Sequence, residues 1–195
     1  MERKEIQEQR MRNYFIEATR ELLKGEGLNS VNVRAIAEKA GYSYATLYNY
    51  FKDVKELIFI CVKDFQTEAE AFVNEKTKAI KPGKDRIKAT ATAFLDYFVQ
   101  YPGIFELFYL ERMSNLSGKQ PIAGLIYSFL DRLTEADWEI LIEQKTYSKQ
   151  EAEVRTGVLR SAVTGLLVMY LNRLHPGTYP EFRREVEQEI SFILD

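Results

Sequence analysis

This chain has few of the residues that support covalent or metal chemistry. Its 195 residues include one cysteine, Cys61, and one histidine, His175. A single cysteine excludes an intramolecular disulfide framework and favours a reducing cytoplasm. Because Cys61 falls on the apolar face of a predicted helix, we expect a buried, inert thiol. A lone histidine in a His-Pro-Gly loop provides no metal-ligand spacing, so the sequence predicts neither a metal site nor a cofactor.

Motifs for catalysis and for membrane insertion are also missing. There is no Gly-rich phosphate loop and no nucleophile elbow, so we expect no catalytic residues and no enzyme. Hydrophobic runs stay shorter than a membrane span, and residues 1–12 form a charged helix start rather than a signal peptide. The sequence therefore predicts a cytoplasmic protein without a membrane partner.

Strand-like alternation is absent, and every segment from Val54 onward has helical periodicity. Hydrophobic residues make up 46% of the chain, which is enough for a packed core. Proline-glycine breaks end helices near residues 82, 102 and 176. One short helix is predicted through Ile104 to Met113, and a long one is predicted to open at Pro121. The pattern favours an all-α fold of about nine helices with no sheet.

The most informative stretch runs from Asn32 to Phe51 and predicts two short helices joined by a tight turn. Asn32 can cap the first helix, Gly41 can supply the turn, and Ser43 can cap the second helix. Leu47 and Phe51 then point inward at i, i+4 spacing. The outward-facing residues are Tyr44, Ala45, Thr46, Tyr48, Asn49 and Tyr50. Such side chains suit phosphate oxygens and base edges, so the pattern indicates a helix-turn-helix DNA reader.

Amphipathic helices flank this pair on both sides. The apolar residues of the preceding helix share one side: Met11, Tyr14, Phe15, Ala18, Leu22 and Leu23. Asp53 can cap a long following helix. A three-helix unit that feeds a connecting helix is a specific arrangement. We therefore place a DNA-binding domain at residues 1–53 and a second, helical domain at residues 54–195.

Residues 10–57 resemble the DNA-binding domain of the tetracycline-repressor (TetR) family of bacterial transcriptional regulators. The matching elements are Ile36-Ala37, Ala40-Gly41, Ser43, Thr46-Leu47-Tyr48, Tyr50-Phe51 and the segment from Lys52 to Leu57. They cover about a quarter of the chain and together form a specific signature. The resemblance implies a homodimer on a double-stranded DNA operator, in which residues 54–195 form a helical regulatory domain for effector binding and dimerisation.

The resemblance also implies individual DNA contacts. Base contacts are implied for Tyr44, Ala45 and Tyr48, and phosphate contacts for Thr46, Tyr48 and Tyr50. Two positions depart from the family pattern. Asn32 stands in place of the usual threonine and preserves the cap. Val54 stands in place of a phosphate-binding lysine, so Lys52, Lys55 or the helix amino terminus must take over that contact.

Positive charge is concentrated in the same region. Residues 1–55 hold 10 Lys and Arg against 8 Asp and Glu, whereas the remainder holds 17 against 21. The basic residues expected near DNA are Arg3, Lys4, Arg10, Arg12, Arg34, Lys39, Lys52 and Lys55. Of these, Arg34, Lys52 and Lys55 are the predicted contacts. A small excess suits a protein that needs a defined operator.

The last two predicted helices carry the expected dimer interface. Gly157 and Gly165 lie on one face of the first of these helices, and each destabilises the helix by about 1 kcal/mol relative to alanine. Close approach of another helix is the usual explanation for such glycines. The predicted interface residues are Gly157, Ser161, Gly165, Phe182, Val186 and Ile190. Two such helices from each chain would make a four-helix interface. The alternative is that this face packs inside one monomer.

The middle of the chain is expected to hold a sensor for a hydrophobic or aromatic small molecule. The predicted ligand-binding residues are Phe94, Tyr97, Phe98, Tyr101, Phe105, Phe108, Tyr109, Tyr127, Met169 and Tyr170. Such side chains line many apolar pockets, although at helical spacing they also build plain core. The resemblance implies a repressor released when the effector shifts the connecting helix, and the sequence leaves open an activator or a co-repressor-dependent protein. The alternative is a DNA-binding protein of the same fold that protein partners regulate.

Overall fold

The structure, a computed structural model, describes residues 3–110 and 122–195. The predicted all-α fold is confirmed, since these two ranges contain helices and no strand. The α-helices are α1 (Arg3–Glu26), α2 (Val33–Ala40), α3 (Tyr44–Tyr48), α4 (Val54–Thr77), α5 (Lys84–Gln100), α6 (Pro102–Phe105), α7 (Ile122–Tyr127), α8 (Phe129–Glu143), α9 (Lys149–Leu171) and α10 (Tyr179–Leu194). A 3₁₀ turn at Leu28–Ser30 precedes α2, and a π-helical turn at Glu106–Leu110 follows α6.

The long helix that was expected to open at Pro121 is divided into α7 and α8. At the division the Ser128 hydroxyl donates to the Gly124 carbonyl at 2.9 Å, and Arg132 donates to the same hydroxyl at 2.6 Å. Side chains that bond to backbone carbonyls compete with the helical ladder, and sequence periodicity does not record that competition. Pro121 and Met113 lie outside the described residues.

The chain forms two compact units. The first unit contains Met1–Thr67 and Tyr101–Ala123, and the second contains Glu68–Gln100 and Gly124–Asp195. Helix α4 contributes its amino-terminal part to the first unit and its carboxyl-terminal part to the second. The expected boundary after residue 53 separates a DNA-binding from a regulatory function, whereas these two units are defined by how compactly the chain packs. The expected boundary stays a prediction.

A small apolar core holds the first unit together. Its buried members are Phe15, Ala18, Leu22, Ile36, Leu47, Phe51 and Leu57. Helix α6 packs on α1, and glycine makes that approach possible. A Cβ at Gly103 would lie 2.6 Å from the Leu23 carbonyl oxygen, closer than any side chain tolerates. Burial raises the pKa of the Cys61 thiol to about 12, which agrees with the expected inert cysteine.

Tyr14 corrects the expected apolar face of α1. Its side chain is 53% exposed, whereas the neighbouring Phe15 is fully buried. The ring of Tyr14 leans on the ring of Tyr42, with centroids 5.9 Å apart. Helical spacing places Tyr14 beside the buried stripe, but Tyr42 is the partner that covers part of its ring and the rest stays in solvent.

Asp137 is the most deeply buried acidic group among the described residues of the second unit. It is 2% exposed and accepts a hydrogen bond from the Gly83 N–H at 2.7 Å. The Arg86 Nε lies 2.9 Å from both carboxylate oxygens. A buried carboxylate needs such partners because desolvation penalises the charge. This contact fixes the start of α5 against α8.

Replacing Asp137 with asparagine should lower the free energy of unfolding by about 3 kcal/mol. The amide can still accept from Gly83, but it loses the ion pair and presents an NH₂ group to Arg86. Urea unfolding followed by circular dichroism measures the change. The matched control is Asp85→Asn, because Asp85 is an exposed acid in the first turn of α5, next to Arg86 in the sequence. Equal stability of the two variants would contradict the structural role of Asp137.

Candidate nucleic-acid interface

The first helix of the predicted pair begins and ends as expected. The Asn32 side chain accepts hydrogen bonds from the N–H groups of Arg34 and Ala35 at 3.1 and 3.0 Å. The helix ends at Gly41, whose φ of 76° lies in the left-handed region that favours glycine. Asn32 therefore performs the capping role that was predicted for it.

Helix α3 is held at both ends by neighbouring structure. The Ser43 hydroxyl accepts from the Thr46 N–H at 3.2 Å and caps the helix. Leu47 is 0% exposed and Phe51 is 2% exposed, so both are anchored in the core, as predicted. A helix of five residues is not stable by itself, so these anchors fix its position.

The opposite face of α3 is open to solvent. Tyr44 and Tyr48 are 60% and 53% exposed. Ala45 and Asn49 are also exposed, and Thr46 is half-buried because its side chain meets the Ser43 cap. The arrangement presents two phenol rings and an amide on one short, rigid element. Hydrogen-bonding groups of this kind can meet base edges and phosphate oxygens.

Tyr50 differs from its predicted outward orientation. Its side chain is half-buried, and its ring centroid lies 6.2 Å from that of Phe15. The ring turns back onto α1 at Phe15, a contact between residues distant in sequence that helical spacing does not record. Only part of the Tyr50 side chain is therefore accessible to a partner.

The basic residues near α3 fall into two groups. Arg34, Lys52 and Lys55 are exposed, as their predicted role requires. Lys39 instead forms a salt bridge with Glu21 at 2.9 Å, and Arg12 turns into the protein. Positive charge that is already paired contributes less to DNA attraction than exposed, solvated lysine and arginine.

The amino end of α4 is occupied by its own acidic side chains. Asp53 accepts from the Glu56 N–H at 2.9 Å, and Glu56 accepts from the Lys52 N–H at 2.9 Å. These carboxylates satisfy donors at the helix end that a phosphate would otherwise meet. Val54 itself has no charge to offer a phosphate, and this geometry favours the side chains of Lys52 and Lys55 over the helix terminus for that role.

Tyr42 is an exposed aromatic residue that sequence reasoning passed over. It follows Gly41 in the turn, is 38% exposed, and packs its ring 5.7 Å from that of Phe15. The available signal was its position directly before the Ser43 cap. The ring of Tyr42 therefore packs on α1, against both Tyr14 and Phe15.

The predicted ligand-binding residues do not form one cluster within either unit. Tyr101, Phe105, Phe108 and Tyr109 belong to the first unit, and Phe94, Tyr97, Phe98, Tyr127, Met169 and Tyr170 belong to the second. Five of them are buried core residues: Phe94, Tyr97, Phe98, Phe105 and Phe108. The rings of Phe94 and Phe98 meet edge to face at 4.8 Å. Tyr127 and Met169 are 62% and 44% exposed, so the set spans core and surface.

A groove of about 480 Å³ between α8 and α9 contains none of the ten predicted ligand residues. Arg160 crosses this groove, where it pairs with Asp131 and donates to the Tyr127 hydroxyl at 2.7 Å. Burial raises the pKa of the Asp131 carboxyl, and the Arg160 charge opposes that rise. Trp138 lies in the wall. The groove therefore combines an ion pair with apolar surface.

The structure corrects the part of the predicted dimer interface that lies on α10. Phe182, Val186 and Ile190 are at most 1% exposed within the single chain. Phe182 stacks on Tyr170 of α9, with ring centroids 4.3 Å apart. This stripe therefore packs in its own monomer, as the alternative allowed, and is not available to a second chain.

A different apolar surface remains open on the same two helices. Val154, Val158 and Phe192 are 60%, 48% and 83% exposed. Val158 and Phe192 line a shallow groove that also contains Ala162. Ser161 and Gly165 are exposed on α9, and Gly157 is half-buried. The role of the α9 residues in a dimer stays a prediction. On α10 the exposed residue is Phe192 rather than the three predicted residues.

Comparison with known proteins agrees with this geometry. Residues 15–59 match the family model of the bacterial regulatory proteins of the tetR family. This chain resembles the TetR family. The match spans the carboxyl-terminal part of α1, the helix pair and the start of α4, which are the elements that position the exposed face of α3.

Solved TetR-like structures share the whole fold at low sequence identity. A TetR family transcription regulator from Marinobacter aquaeolei VT8 is 18% identical to this chain with a TM-score of 0.65. The alignment covers 100% of this chain and 97% of the Marinobacter chain. FadR from Bacillus subtilis in complex with stearoyl-CoA is 13% identical with a TM-score of 0.71, at 94% and 97% coverage. RolR in complex with resorcinol is 13% identical with a TM-score of 0.67, at 95% and 88% coverage. The fold is that of TetR-family transcription regulators.

Proposed function

We propose that this protein is a ligand-responsive transcriptional repressor that binds a palindromic operator as a homodimer. The exposed face of α3 is the observation that carries the proposal. Leu47 and Phe51 anchor the helix in the core, while Tyr44 and Tyr48 stay more than half exposed. Two exposed tyrosines side by side on a capped helix form a surface with both apolar rings and hydrogen-bonding hydroxyls to offer a partner. A DNA major groove accepts such a helix and offers partners for its polar groups.

The proposed contacts follow from position and exposure. Tyr44, Ala45 and Tyr48 approach base edges from the solvent face of α3. Thr46 and Asn49 lie at the borders of that face, where phosphate and sugar oxygens would be met. The exposed charges of Arg34, Lys52 and Lys55 supply phosphate contacts, and the half-buried Tyr50 contributes at most its hydroxyl.

Selection of bound sequences from random double-stranded DNA tests the proposal directly. We expect an enriched palindrome whose half-sites are separated by about 34 Å, one helical turn, or a multiple of it. Symmetry in the selected sequence would report two reading heads related by a two-fold axis. Absence of any enriched sequence would contradict operator binding.

Tyr48→Ala should weaken operator binding by about 1–3 kcal/mol, because it removes a ring proposed to lie against the bases. Fluorescence anisotropy with the selected operator measures the change. The matched control is Tyr14→Ala, since Tyr14 is also 53% exposed in the same unit but lies on α1 outside the proposed contact set. Equal effects of the two substitutions would argue against the orientation of α3 on DNA.

A second copy of the chain is the proposed cover for the open surface of α9 and α10. By length and composition alone, helix α9 is apolar enough to cross a membrane. Only 22% of its most apolar 18-residue stretch is buried within the chain, so much of this apolar helix lacks a cover. Phe192 projects from α10 beside it with 83% of its surface exposed. A palindromic operator requires two protomers, and an isologous contact through this surface would provide them.

Gly165→Leu should impair dimerisation while leaving the monomer intact. Among the described residues, no heavy atom outside the backbone of α9 itself lies within 4 Å of a Cβ at Gly165, and leucine favours a helix interior over glycine by about 1 kcal/mol. Any impairment must therefore arise at the surface of α9. Sedimentation velocity measures the assembly state. Gly124→Leu is the control, because its Cβ is equally unobstructed but lies on α7. A Gly165→Leu protein that remains dimeric would exclude this surface.

The proposed effector is a hydrophobic or aromatic small molecule. Two structures of the same fold contain such ligands, stearoyl-CoA in FadR and resorcinol in RolR. Helix α5 of this chain carries Phe94, Tyr97 and Phe98, and aromatic side chains of this kind line many apolar ligand sites. The effector would bind one conformation more tightly and draw the population away from the operator-binding one.

A screen of acyl-CoA thioesters and phenols should find a compound with two linked effects. It should raise the melting temperature, because a ligand that binds only the folded state stabilises that state. At a ligand concentration of 100 times Kd, the free energy of unfolding rises by about 2.7 kcal/mol. The same compound should weaken operator binding in the anisotropy assay. Operator binding that responds to no compound in the screen would support the alternative, a regulator controlled by protein partners.

A further inference from the structure

Arg12 lies in the DNA-reading unit but directs its charge into the protein. Its guanidinium carbon sits 4.3 Å from the centre of the Phe51 ring. One guanidinium nitrogen donates to the Tyr50 carbonyl oxygen, and the other lies 3.7 Å from the Glu56 carboxylate. The side chain is 28% exposed. Three contacts on three sides hold the group in one orientation.

The first contact fixes the carboxyl end of the recognition segment. Helix α3 has five residues, and the last carbonyls of any helix lack partners within the helix. Tyr50 lies two residues beyond α3, on the turn that leads into α4. A charged donor from α1 holds its carbonyl, while the Phe51 ring packs under the same guanidinium. The turn after α3 is thereby tied to α1.

The second contact fixes the amino end of α4. One Glu56 oxygen faces Arg12, and the other accepts from the Lys52 N–H at 2.9 Å. The Glu56 N–H donates in turn to Asp53 at 2.9 Å, which closes the cap of α4. Glu56 thus joins the cap of α4 to the same arginine that holds the end of α3. A shift of α3 relative to α4 would therefore break these contacts.

We propose that Arg12 is a positioning residue for operator recognition. It fixes the carboxyl end of α3 against the amino end of α4 and does not contact DNA. The inference rests on the proposed operator binding. Because a planar guanidinium can serve a carbonyl, a carboxylate and a ring face at once, lysine cannot replace it here. Pre-organisation of α3 favours the operator, since only specific binding depends on the alignment of the side chains with the bases.

The experiment compares Arg12→Lys, Arg12→Gln and Glu56→Gln, with Glu38→Gln as the matched control. Glu38 is an exposed acid on α2 in the same unit. Affinity is measured for the selected operator and for a random duplex of equal length, over a range of salt concentrations. Thermal unfolding confirms that each variant is folded at the assay temperature.

We expect all three junction variants to bind the operator roughly tenfold more weakly and the random duplex unchanged. The Glu56 variant is the sharpest case. Removing a negative charge near DNA should strengthen binding if only electrostatics matter, and Glu38→Gln should show that small gain or no change. A glutamine at position 56 replaces one of the two carboxylate oxygens with an NH₂ donor, so either Lys52 or Arg12 loses the acceptor atom that it meets now.

Three results would overturn the positioning role. A phosphate contact by Arg12 would appear as a normal Arg12→Lys variant, together with an Arg12→Gln variant whose salt slope falls by about one. A general loss of folding would weaken operator and random DNA in equal proportion. Operator binding that is unchanged in all three variants would also exclude the role. If the unaltered protein selects no operator, the proposed function itself fails, which is a separate outcome.

Discussion

The burial of Leu47 and Phe51 beneath α3 is the constraint on which the candidate site depends. A five-residue helix gains too little from its own hydrogen bonds to persist in water. Its position comes instead from two fully buried side chains, packed against Phe15 of α1 and the rest of the small core. Because the anchors occupy one side, the side chains of Tyr44 and Tyr48 are directed to the other.

Capping and charge pairing then add precision to that anchored helix. Ser43 and Asn32 satisfy backbone donors where α3 and α2 begin, and each cap is worth about 1 kcal/mol. Arg12 and Glu56 hold the opposite end, where α3 meets α4. Some basic residues of this unit, such as Arg12 and Lys39, are paired with acceptors of the protein itself. Arg34, Lys52 and Lys55 remain exposed. The net charge of residues 1–55 therefore does not show which positive charges reach the surface.

The second unit shows why an apolar pattern alone does not identify a surface. Helix α10 carries a buried stripe through Phe182, Val186 and Ile190, and on another side it exposes Phe192 almost completely. Both features are hydrophobic in sequence, and only packing against α9 separates them. The aromatic residues expected at an effector site behave similarly. Phe94 and Phe98 pack edge to face as core, while Tyr127 bonds to Arg160 near the surface.

The sequence by itself determined the all-α class, the helix pair with its caps, and the inward direction of Leu47 and Phe51. These features depend on residues three or four positions apart, which local spacing records. Tertiary structure decided the exposure of Tyr14, the partial burial of Tyr50, the inward turn of Arg12 and the surface that α10 presents. Each of these depends on contacts between residues distant in sequence: Tyr14 meets Tyr42, Tyr50 meets Phe15, and Arg12 meets Glu56. Periodicity assigns a side chain to a face of its helix, but the neighbouring elements determine whether that face is covered.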